Sequence, residues 1–393
     1  MSTHEERISR ALDSLRIELP SWGFANTGTR FGKFLQAEAA TNIEEKFADA
    51  AQVHALTGTS PTLALHVGWD LPNGVADTAK ILDLERRYGI RSGSINPNYF
   101  ERQDYKFGSL ANPDSSIRQI AIEHSLESVA IGKALGSRDV SLWIADGSNY
   151  PGTQSIRRRI EWLEESLAAI HSALGENQRM LIEYKPFEPA FYHTDIADWG
   201  MALLLARKTG PKAFVLVDTG HHYQGQNIEQ VVAWLLHEQL LGGFHFNDRK
   251  YADDDLTLSS IDPYQVFRIF HEIHIGPTSV LEQVPFMIDQ SHNLKGKVEA
   301  MVQTVTAAQE LFAKAALVDS EKLAGLQNDC KLVEAEECFR QAFWYDVRPH
   351  IQEWRKSHGL PEDPLHALRE SGYVERIRAE RQQRNTKSVV SYA

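Results

Sequence analysis

The chain has 393 residues, of which 42% are hydrophobic and 24% charged, the composition of an ordinary globular protein. Its formal net charge of −12 at pH 7 argues against nucleic acid and anionic membranes as partners. The N-terminus lacks an apolar signal segment, no run of 18 apolar residues occurs, and only Cys330 and Cys338 are present, so the sequence predicts free thiols and a cytoplasmic protein.

After an N-terminal helix, short apolar runs alternate with amphipathic, helix-like stretches. The runs are nearly continuous rather than alternating in polarity, which is typical of strands covered on both faces. The eight runs lie at 21–26, 63–69, 92–97, 140–146, 180–186, 213–221, 242–248 and 279–286. Between them, the helical pattern at 77–89 ends on Gly and the one at 227–241 begins on Asn. Repeated strand–helix units predict an α/β fold, a (β/α)8 TIM barrel.

The pattern changes at about residue 316, after which the chain is helical, charged and poor in glycine. We therefore predict that residues 1–316 form the barrel, a catalytic domain that includes the N-terminal helix. Residues 317–393 are predicted to form an appended C-terminal helical arm.

Polar and aromatic side chains recur where the predicted strands end, which is where a barrel of this class carries its site. They are Asn26, His66, Trp143, Glu183, Lys185, Asp218, His221, His245, Asp253, Asp255 and Asp289. Carboxylates and imidazoles without thiols are the ligands that hard or borderline divalent cations take. The sequence therefore predicts a metal centre at the C-terminal face of the barrel.

The ligands suffice for two cations. The first set is Glu183, Asp218, His245 and Asp289. The second set is Asp218 as a bridge, His221, Asp253 and Asp255, where the spacing of two residues lets both loop carboxylates reach one ion. So many carboxylates suit Mn²⁺, Mg²⁺ or Co²⁺ better than a closed tetrahedral Zn²⁺ site.

Simpler interpretations exist for each residue taken alone. Asp253 and Asp255 have the pattern of a solvated acidic loop, and His221 or His245 that of a core or surface histidine. Glu183 would pair with Lys185, Asp218 would cap a helix, and Trp143 would belong to the core. The metal interpretation is favoured because all of these residues recur at the same end of successive strands.

Two further features stay open on sequence alone. His66 ends a predicted strand and is either structural or a substrate contact. The segment 27–34 holds Gly28 and Gly32 around Phe31, and it is either a lid or an ordinary loop after the first strand.

The segments SWGFANTGTRFGKF, LIEYKPFEPAFYHTD, VLVDTGHH and HFNDRKYADDDL resemble the xylose isomerase-like barrels and, more closely, the bacterial L-rhamnose isomerase family. The resemblance implies a structural ion on the first set and a catalytic ion on the second, with Mn²⁺ as the usual ion and Co²⁺, Mg²⁺ or Zn²⁺ as alternatives. It implies a homotetramer, with the arm serving oligomerisation. Arg249 departs from the smaller residue expected there, which leaves the local loop contacts and the breadth of substrates open.

The resemblance also implies roles for individual side chains. Lys185 would polarise the carbonyl oxygen of the open sugar, and His66 would act in ring opening. Trp143 would form an aromatic wall, and Phe31 would reach the site of a neighbouring subunit. Asp253 or Asp255 would assist proton transfer.

The implied reaction is aldose–ketose isomerisation, of L-rhamnose and L-rhamnulose and of other pairs such as D-allose and D-psicose. Hydrogen would move between C2 and C1, either as a hydride, which the resemblance favours, or as a proton through a cis-enediol. The alternatives are a ketose 3-epimerase, which uses one ion and paired Glu bases, a metal-dependent phosphodiesterase, and a non-catalytic sugar-binding protein.

Overall fold

The computed structural model describes residues 3–26, 34–186, 193–277, 283–292 and 294–385. Eight parallel strands pair in sequence order, and β8 closes on β1 to complete a barrel. This arrangement confirms the predicted (β/α)8 fold. Within these residues, no helix combines the length and the apolar character needed to cross a membrane.

The strands are short, and most are buried along nearly their whole length. They are β1 (Ile17–Pro20), β2 (Thr62–His66), β3 (Arg91–Asn96), β4 (Asp139–Trp143), β5 (Arg179–Glu183), β6 (Ala213–Asp218), β7 (Leu241–Phe246) and β8 (Phe286–Ile288). The helices that follow them are α2 (Ile43–Thr57), α3 (Thr78–Tyr88), α4 (Ser115–Leu135), α5 (Ile156–Ala173), α6 (Trp199–Thr209), α7 (Ile228–His237), α8 (Pro263–Ile275) and α9 (Lys297–Ala315).

Two helices begin or end at the capping residues identified from the sequence. Asn227 caps α7 by accepting the backbone N–H of Gln230 on its side chain. Gly89 ends α3 with φ of +68°, a left-handed conformation that costs glycine little. Both helix boundaries confirm the predicted ones within a few residues.

The first strand was predicted at the wrong place. The apolar run 21–26 was interpreted as a strand, but the strand is Ile17–Pro20, and Ser21–Phe24 form a 3₁₀ turn. Pro20 has no N–H to continue the strand pairing, which suits the end of a strand. The predicted eighth run, 279–286, meets β8 at Phe286, residues 283–285 precede the strand, and 279–282 lie outside the described residues.

A helical arm follows the barrel, as predicted. It comprises α10 (Ser320–Asn328), α11 (Leu332–Trp344), α12 (Arg348–Ser357), α13 (Pro364–Glu370) and α14 (Tyr373–Asn385), and it packs on α2, α9 and the N-terminal helix α1 (His4–Ser14) of the same chain. The indole of Trp354 donates to Asp13 at 2.8 Å, which ties α12 to α1. The domain boundary at 316 and the oligomerisation role stay predictions.

Strand register brings the candidate site residues side by side. Trp143 on β4 pairs with Glu183 on β5, and Asp218 on β6 pairs with His245 on β7. Because side chains alternate along a strand, His245 faces the side of β7 opposite to Phe244 and Phe246. Those two rings stack at 4.7 Å and pack into the aromatic core beneath α8 and α9.

Candidate metal centre

A cavity opens at the C-terminal end of the barrel, where enzymes of this fold carry their sites. Its described lining consists of Trp22, His66, Trp69, Asn96, Pro97, Phe100, Ser141, Trp143, Glu183, Lys185, His221, His245, Asp253, Asp255, Asp289 and Ser291. Nine of the side chains to which the sequence assigned a role are among them. Asp218 lies fully buried below the cavity, and Phe31 lies outside the described residues.

The first predicted ligand set comes together at the floor of the cavity. One donor atom from each side chain lies within 4.8 Å of all the others, and the set is Glu183, Asp218, His245 and Asp289. His245 Nδ1 is 3.3 Å from Glu183 Oε1, 3.6 Å from Asp289 Oδ2 and 3.8 Å from Asp218 Oδ2. We call these four residues the first cluster.

A second group of donor atoms adjoins the first and shares Asp218 with it. It consists of Asp218, His221 and Asp253, and we call it the second cluster. His221 Nε2 lies 3.7 Å from Asp218 Oδ2 and 3.5 Å from Asp253 Oδ2. Asp255 lines the cavity but belongs to neither cluster, and its backbone is left-handed with φ of +48°. Its place in the second ion's shell therefore stays a prediction.

The two oxygens of Asp218 have different surroundings. Oδ1 accepts the backbone N–H of Gly220 at 2.6 Å and the Asn247 amide at 2.9 Å. Oδ2 is buried and has no hydrogen-bond partner among the described residues. A buried carboxylate oxygen without a donor is costly, and a cation between the two clusters would satisfy it. Gly220 permits this packing, because a Cβ there would lie 2.4 Å from Asn247 Oδ1.

The charges of the two clusters perturb each other's protonation. Burial raises the pKa of Asp218 to about 7, and the carboxylates of Asp253 and Glu183 add to the effect while His221 opposes it. Burial lowers the pKa of His221 and His245, but the neighbouring carboxylates outweigh it and raise both to about 9. Excess negative charge of this kind suits divalent cations, which compete with protons for the same ligands.

The Nδ1 nitrogen of His221, on the side of the ring away from the second cluster, orients the imidazole. Nδ1 lies 3.0 Å from the Tyr184 carbonyl, to which an N–H at that position donates. In that tautomer the lone pair of Nε2 points toward Asp218 and Asp253, which is the usual way a second contact prepares a histidine ligand.

Lys185 is the only lysine or arginine among the described residues that line the cavity. Its Nζ lies 2.7 Å from Asp253 Oδ2 and 5.1 Å from the centre of the Trp143 ring. On sequence alone the simpler interpretation was an ion pair between Lys185 and Glu183, but the ion pair that Lys185 forms is with Asp253. Lys185 therefore stands between the second cluster and the aromatic side of the cavity.

The aromatic side of the cavity is larger than the sequence suggested. Trp143 packs against Phe100 at 4.9 Å, and His66 stacks on Trp69 at 3.6 Å. Burial lowers the pKa of His66 to about 3, so its imidazole is neutral near pH 7. Trp22 and Trp69 lie in apolar runs that were interpreted as strands and Phe100 follows such a run, so strand periodicity did not mark them as site residues.

The structure shows the local contacts of Arg249, which the sequence left open. Its buried guanidinium donates to the carbonyls of Thr219, His222 and Tyr223 at 2.7 to 3.1 Å. These carbonyls belong to the turn after β6 that carries His221. Arg249 therefore fixes the loop after β7 to that turn.

Two further side chains, Asp254 and the predicted site residue Asn26, serve the loops rather than the cavity. Asp254 accepts the backbone N–H groups of Lys250 at 2.6 Å and Tyr251 at 2.7 Å, which shapes the loop after β7. Asn26, predicted to end a strand at the site, does not line the cavity among the described residues, and it bonds Gln36 and Asn385 instead.

This chain is similar in sequence and in fold to known proteins. The family model described as xylose isomerase-like TIM barrel matches residues 49–315. A probable sugar isomerase of Rhizobium meliloti is 41% identical over 93% of this chain and 86% of its own length. The L-rhamnose isomerase of Bacteroides thetaiotaomicron is 26% identical over 77% of this chain and 72% of its own. A D-allulose 3-epimerase from Methylomonas sp. shares the fold with a TM-score of 0.52 and 14% identity, over 74% of this chain and 95% of its own.

Proposed function

Because the chain belongs to the xylose isomerase-like TIM-barrel family and is a sugar isomerase or epimerase, we propose that it interconverts an aldose and its ketose with two divalent cations. The observation that carries the proposal is the second cluster, which shares Asp218 with the first and faces the cavity. A single-ion enzyme has no use for this additional set of ligands.

The first cluster would hold one cation and the second the other, with Asp255 joining the second ion from the cavity wall. Both sets are rich in oxygen and contain one imidazole each, which favours Mn²⁺, with Co²⁺, Mg²⁺ and Zn²⁺ as alternatives. When bound, these cations act as Lewis acids on the sugar's reacting oxygens.

The protein's own side chains would then orient the substrate and handle its protons. Lys185 places an ammonium at the cavity, where it stabilises negative charge on the carbonyl oxygen of the open sugar. Neutral His66 can take the proton of the anomeric hydroxyl and return it to the ring oxygen as the bond between C1 and that oxygen breaks. Trp143 presents a flat face to the apolar side of the sugar, and Asp253 or Asp255 takes up the hydroxyl proton during hydrogen transfer.

The route of the transferred hydrogen is testable in D₂O. We propose a hydride shift, for which the product carries no solvent deuterium at C1 or C2. Substantial incorporation would show instead that a proton passes through a cis-enediol.

The substrate we propose is L-rhamnose, converted to L-rhamnulose, on the strength of the Bacteroides thetaiotaomicron relative. The cations would grip only the reacting end of the sugar, so other aldoses, D-allose among them, should react as well. A panel of L-rhamnose, L-mannose, L-lyxose, D-allose and D-ribose with Mn²⁺ tests this, and turnover of none of them would refute the proposal.

A ketose 3-epimerase is the second candidate, and the fold shared with D-allulose 3-epimerase favours it. Paired Glu bases are its expected feature, yet Glu183 is the only glutamate among the described residues that line the cavity. Elemental analysis separates the two. Two ions per chain with aldose formation support the isomerase, whereas one ion with 3-epimerised ketose supports the epimerase.

A phosphodiesterase fits poorly, because the described lining of the cavity has one lysine beside several carboxylates and would repel a phosphate backbone. The homotetramer, with Phe31 reaching a neighbouring site, remains part of the proposal. Light scattering after size exclusion would show four copies, and a monomer would contradict it.

A further inference from the structure

The last helix of the arm, α14, buries two polar side chains one turn apart. Arg381 is 2% exposed and Asn385 is 4% exposed. Buried polar groups need hydrogen-bond partners, and positions i and i+4 of a helix face the same way. Both side chains find partners on the loop after β1, more than 300 residues earlier in the chain.

Asn385 binds the chain on both sides of residues 27–33. Its amide donates to the carbonyls of Ala37 and Ala39, each at 3.0 Å. Its oxygen accepts from the Asn26 amide at 2.9 Å. Asn26 in turn accepts the backbone N–H of Gln36 at 2.9 Å. One buried amide thus holds together two segments of the loop after β1.

Arg381 adds a second fastening to the same loop. It donates to the Glu38 carbonyl at 2.8 Å and pairs with both oxygens of Asp49 on α2 at 2.8 and 3.0 Å. The hydroxyl of Tyr373, at the start of α14, donates to Asp49 at 2.7 Å. The loop is therefore held between α2 and α14.

The start of the loop after β1, at Trp22, contacts the first cluster. Trp22 lies four residues before Asn26, and its indole N–H donates to Asp289 Oδ1 at 2.8 Å. The backbone between them is fixed as well, since Ala40 N donates to the Phe24 carbonyl at 2.8 Å. Asp289 uses its other oxygen, Oδ2, toward His245.

We propose that Asn385, supported by Arg381, is a positioning residue for the first cluster. It fixes the loop after β1, and through Trp22 it fixes the orientation of Asp289 within the same chain. The arm thereby has a role at the metal centre that is separate from oligomerisation. The inference rests on the proposed function only in that the first cluster binds a cation.

The test uses the full-length protein and three single variants, Asn385→Ala, Trp22→Phe and the control Glu380→Ala on the exposed side of α14. Two measurements are made on each, namely hydrogen exchange of peptides within 20–26 and 34–42, and Mn²⁺ titration of the metal-free protein. Asn385→Ala should speed exchange in both segments by about tenfold, with the barrel strands unchanged.

Asn385→Ala should weaken Mn²⁺ binding at the first cluster, which we expect to hold the tighter ion, by about tenfold, as loss of an orienting contact does. Trp22→Phe should weaken Mn²⁺ binding similarly. A double variant that combines Asn385→Ala and Trp22→Phe should lose less affinity than the product of the two single losses, because both substitutions act on Asp289. Glu380→Ala should match wild type in both measurements.

The inference would be overturned if residues 34–42 of the Asn385→Ala variant exchanged at the wild-type rate. It would also be overturned if they exchanged faster while the Mn²⁺ affinity stayed unchanged. If Asn385→Ala does not fold, Asn26→Ala breaks the same link from the loop side, and the same readings decide. If the wild-type protein binds no Mn²⁺, the proposed function fails, while the exchange data still decide whether α14 anchors the loop.

Discussion

The two clusters of the metal centre differ in what holds their ligands. Every ligand of the first cluster lies within one residue of a strand's last position, and these ligands are Glu183, Asp218, His245 and Asp289. In the second cluster only Asp218 lies on a strand. His221 lies on the turn after β6, and Asp253 lies in the loop after β7.

Strand ends are fixed by register on both sides, whereas loop ligands keep their places through side-chain contacts. Here those contacts are the guanidinium of Arg249 on the turn after β6 and the ammonium of Lys185 on Asp253. We therefore expect the first cluster to bind its cation more tightly. We expect the second cluster to adjust to substrate at Asp253, because Lys185 lines the cavity and a substrate oxygen can replace its contact with that carboxylate.

The largest expected effect comes from Asp218, the ligand that the clusters share. Asp218→Asn should abolish binding of both ions and lower kcat/KM by about 10⁴-fold or more, since no Lewis acid remains. The metal-free variant should be as stable as wild type or more so, because a buried carboxylate beside other carboxylates is costly. Mn²⁺ titration and thermal unfolding with and without Mn²⁺ check this, with Asp83→Asn on the exposed face of α3 as the control.

Asp253→Asn separates the clusters. The amide keeps an oxygen for Lys185 but is a poor cation ligand, so we expect one tight Mn²⁺ per chain and an activity loss of about 10³-fold. Asp289→Asn is the mirror variant and should weaken the tighter ion instead. If both variants lost the same ion, the distinction between a strand-held and a loop-held site would be wrong.

The strand-held ligands were within reach of sequence analysis, and the contacts that orient them were not. Asp218 and His245 end apolar runs, so strand periodicity and the barrel rule predict that they meet. The contacts of Trp22 with Asp289 and of Lys185 with Asp253 join residues 267 and 68 positions apart. No local pattern encodes such pairs, because they depend on how loops pack over the closed barrel.

The loop geometry escaped prediction for a related reason. Spacing alone predicted that Asp253 and Asp255 reach one ion, but it does not encode the left-handed backbone at Asp255, and the reach of the Asp255 carboxylate stays a prediction. Likewise the apolar residues after Pro20 indicated a strand, although they are buried in a 3₁₀ turn. In that run, apolar character predicts burial but does not distinguish a strand from a buried turn.

Lys185→Met should lower kcat by about 10²-fold, as removal of one charge-stabilising donor does, and should leave two Mn²⁺ ions per chain. Removing a positive charge beside the second cluster should leave the affinity for its ion unchanged or higher. Steady-state kinetics combined with Mn²⁺ titration measure this, and Lys250→Met in the neighbouring loop is the control. Loss of the second ion would instead make Lys185 a support for Asp253 rather than a group that acts on substrate.

The smallest expected effect is that of Asp255→Ala, the variant that shows how adjustable the second cluster is. If Asp255 turns toward the ion only when the ion binds, its loss should weaken the second ion by about 10- to 100-fold and leave the first ion unaffected. Saturating Mn²⁺ should then restore much of the activity, which Asp253→Asn would not allow. An Asp255→Ala variant as inactive as Asp253→Asn at saturating Mn²⁺ would show that Asp255 acts on the substrate itself, because a ligand that only adds affinity can be replaced by mass action.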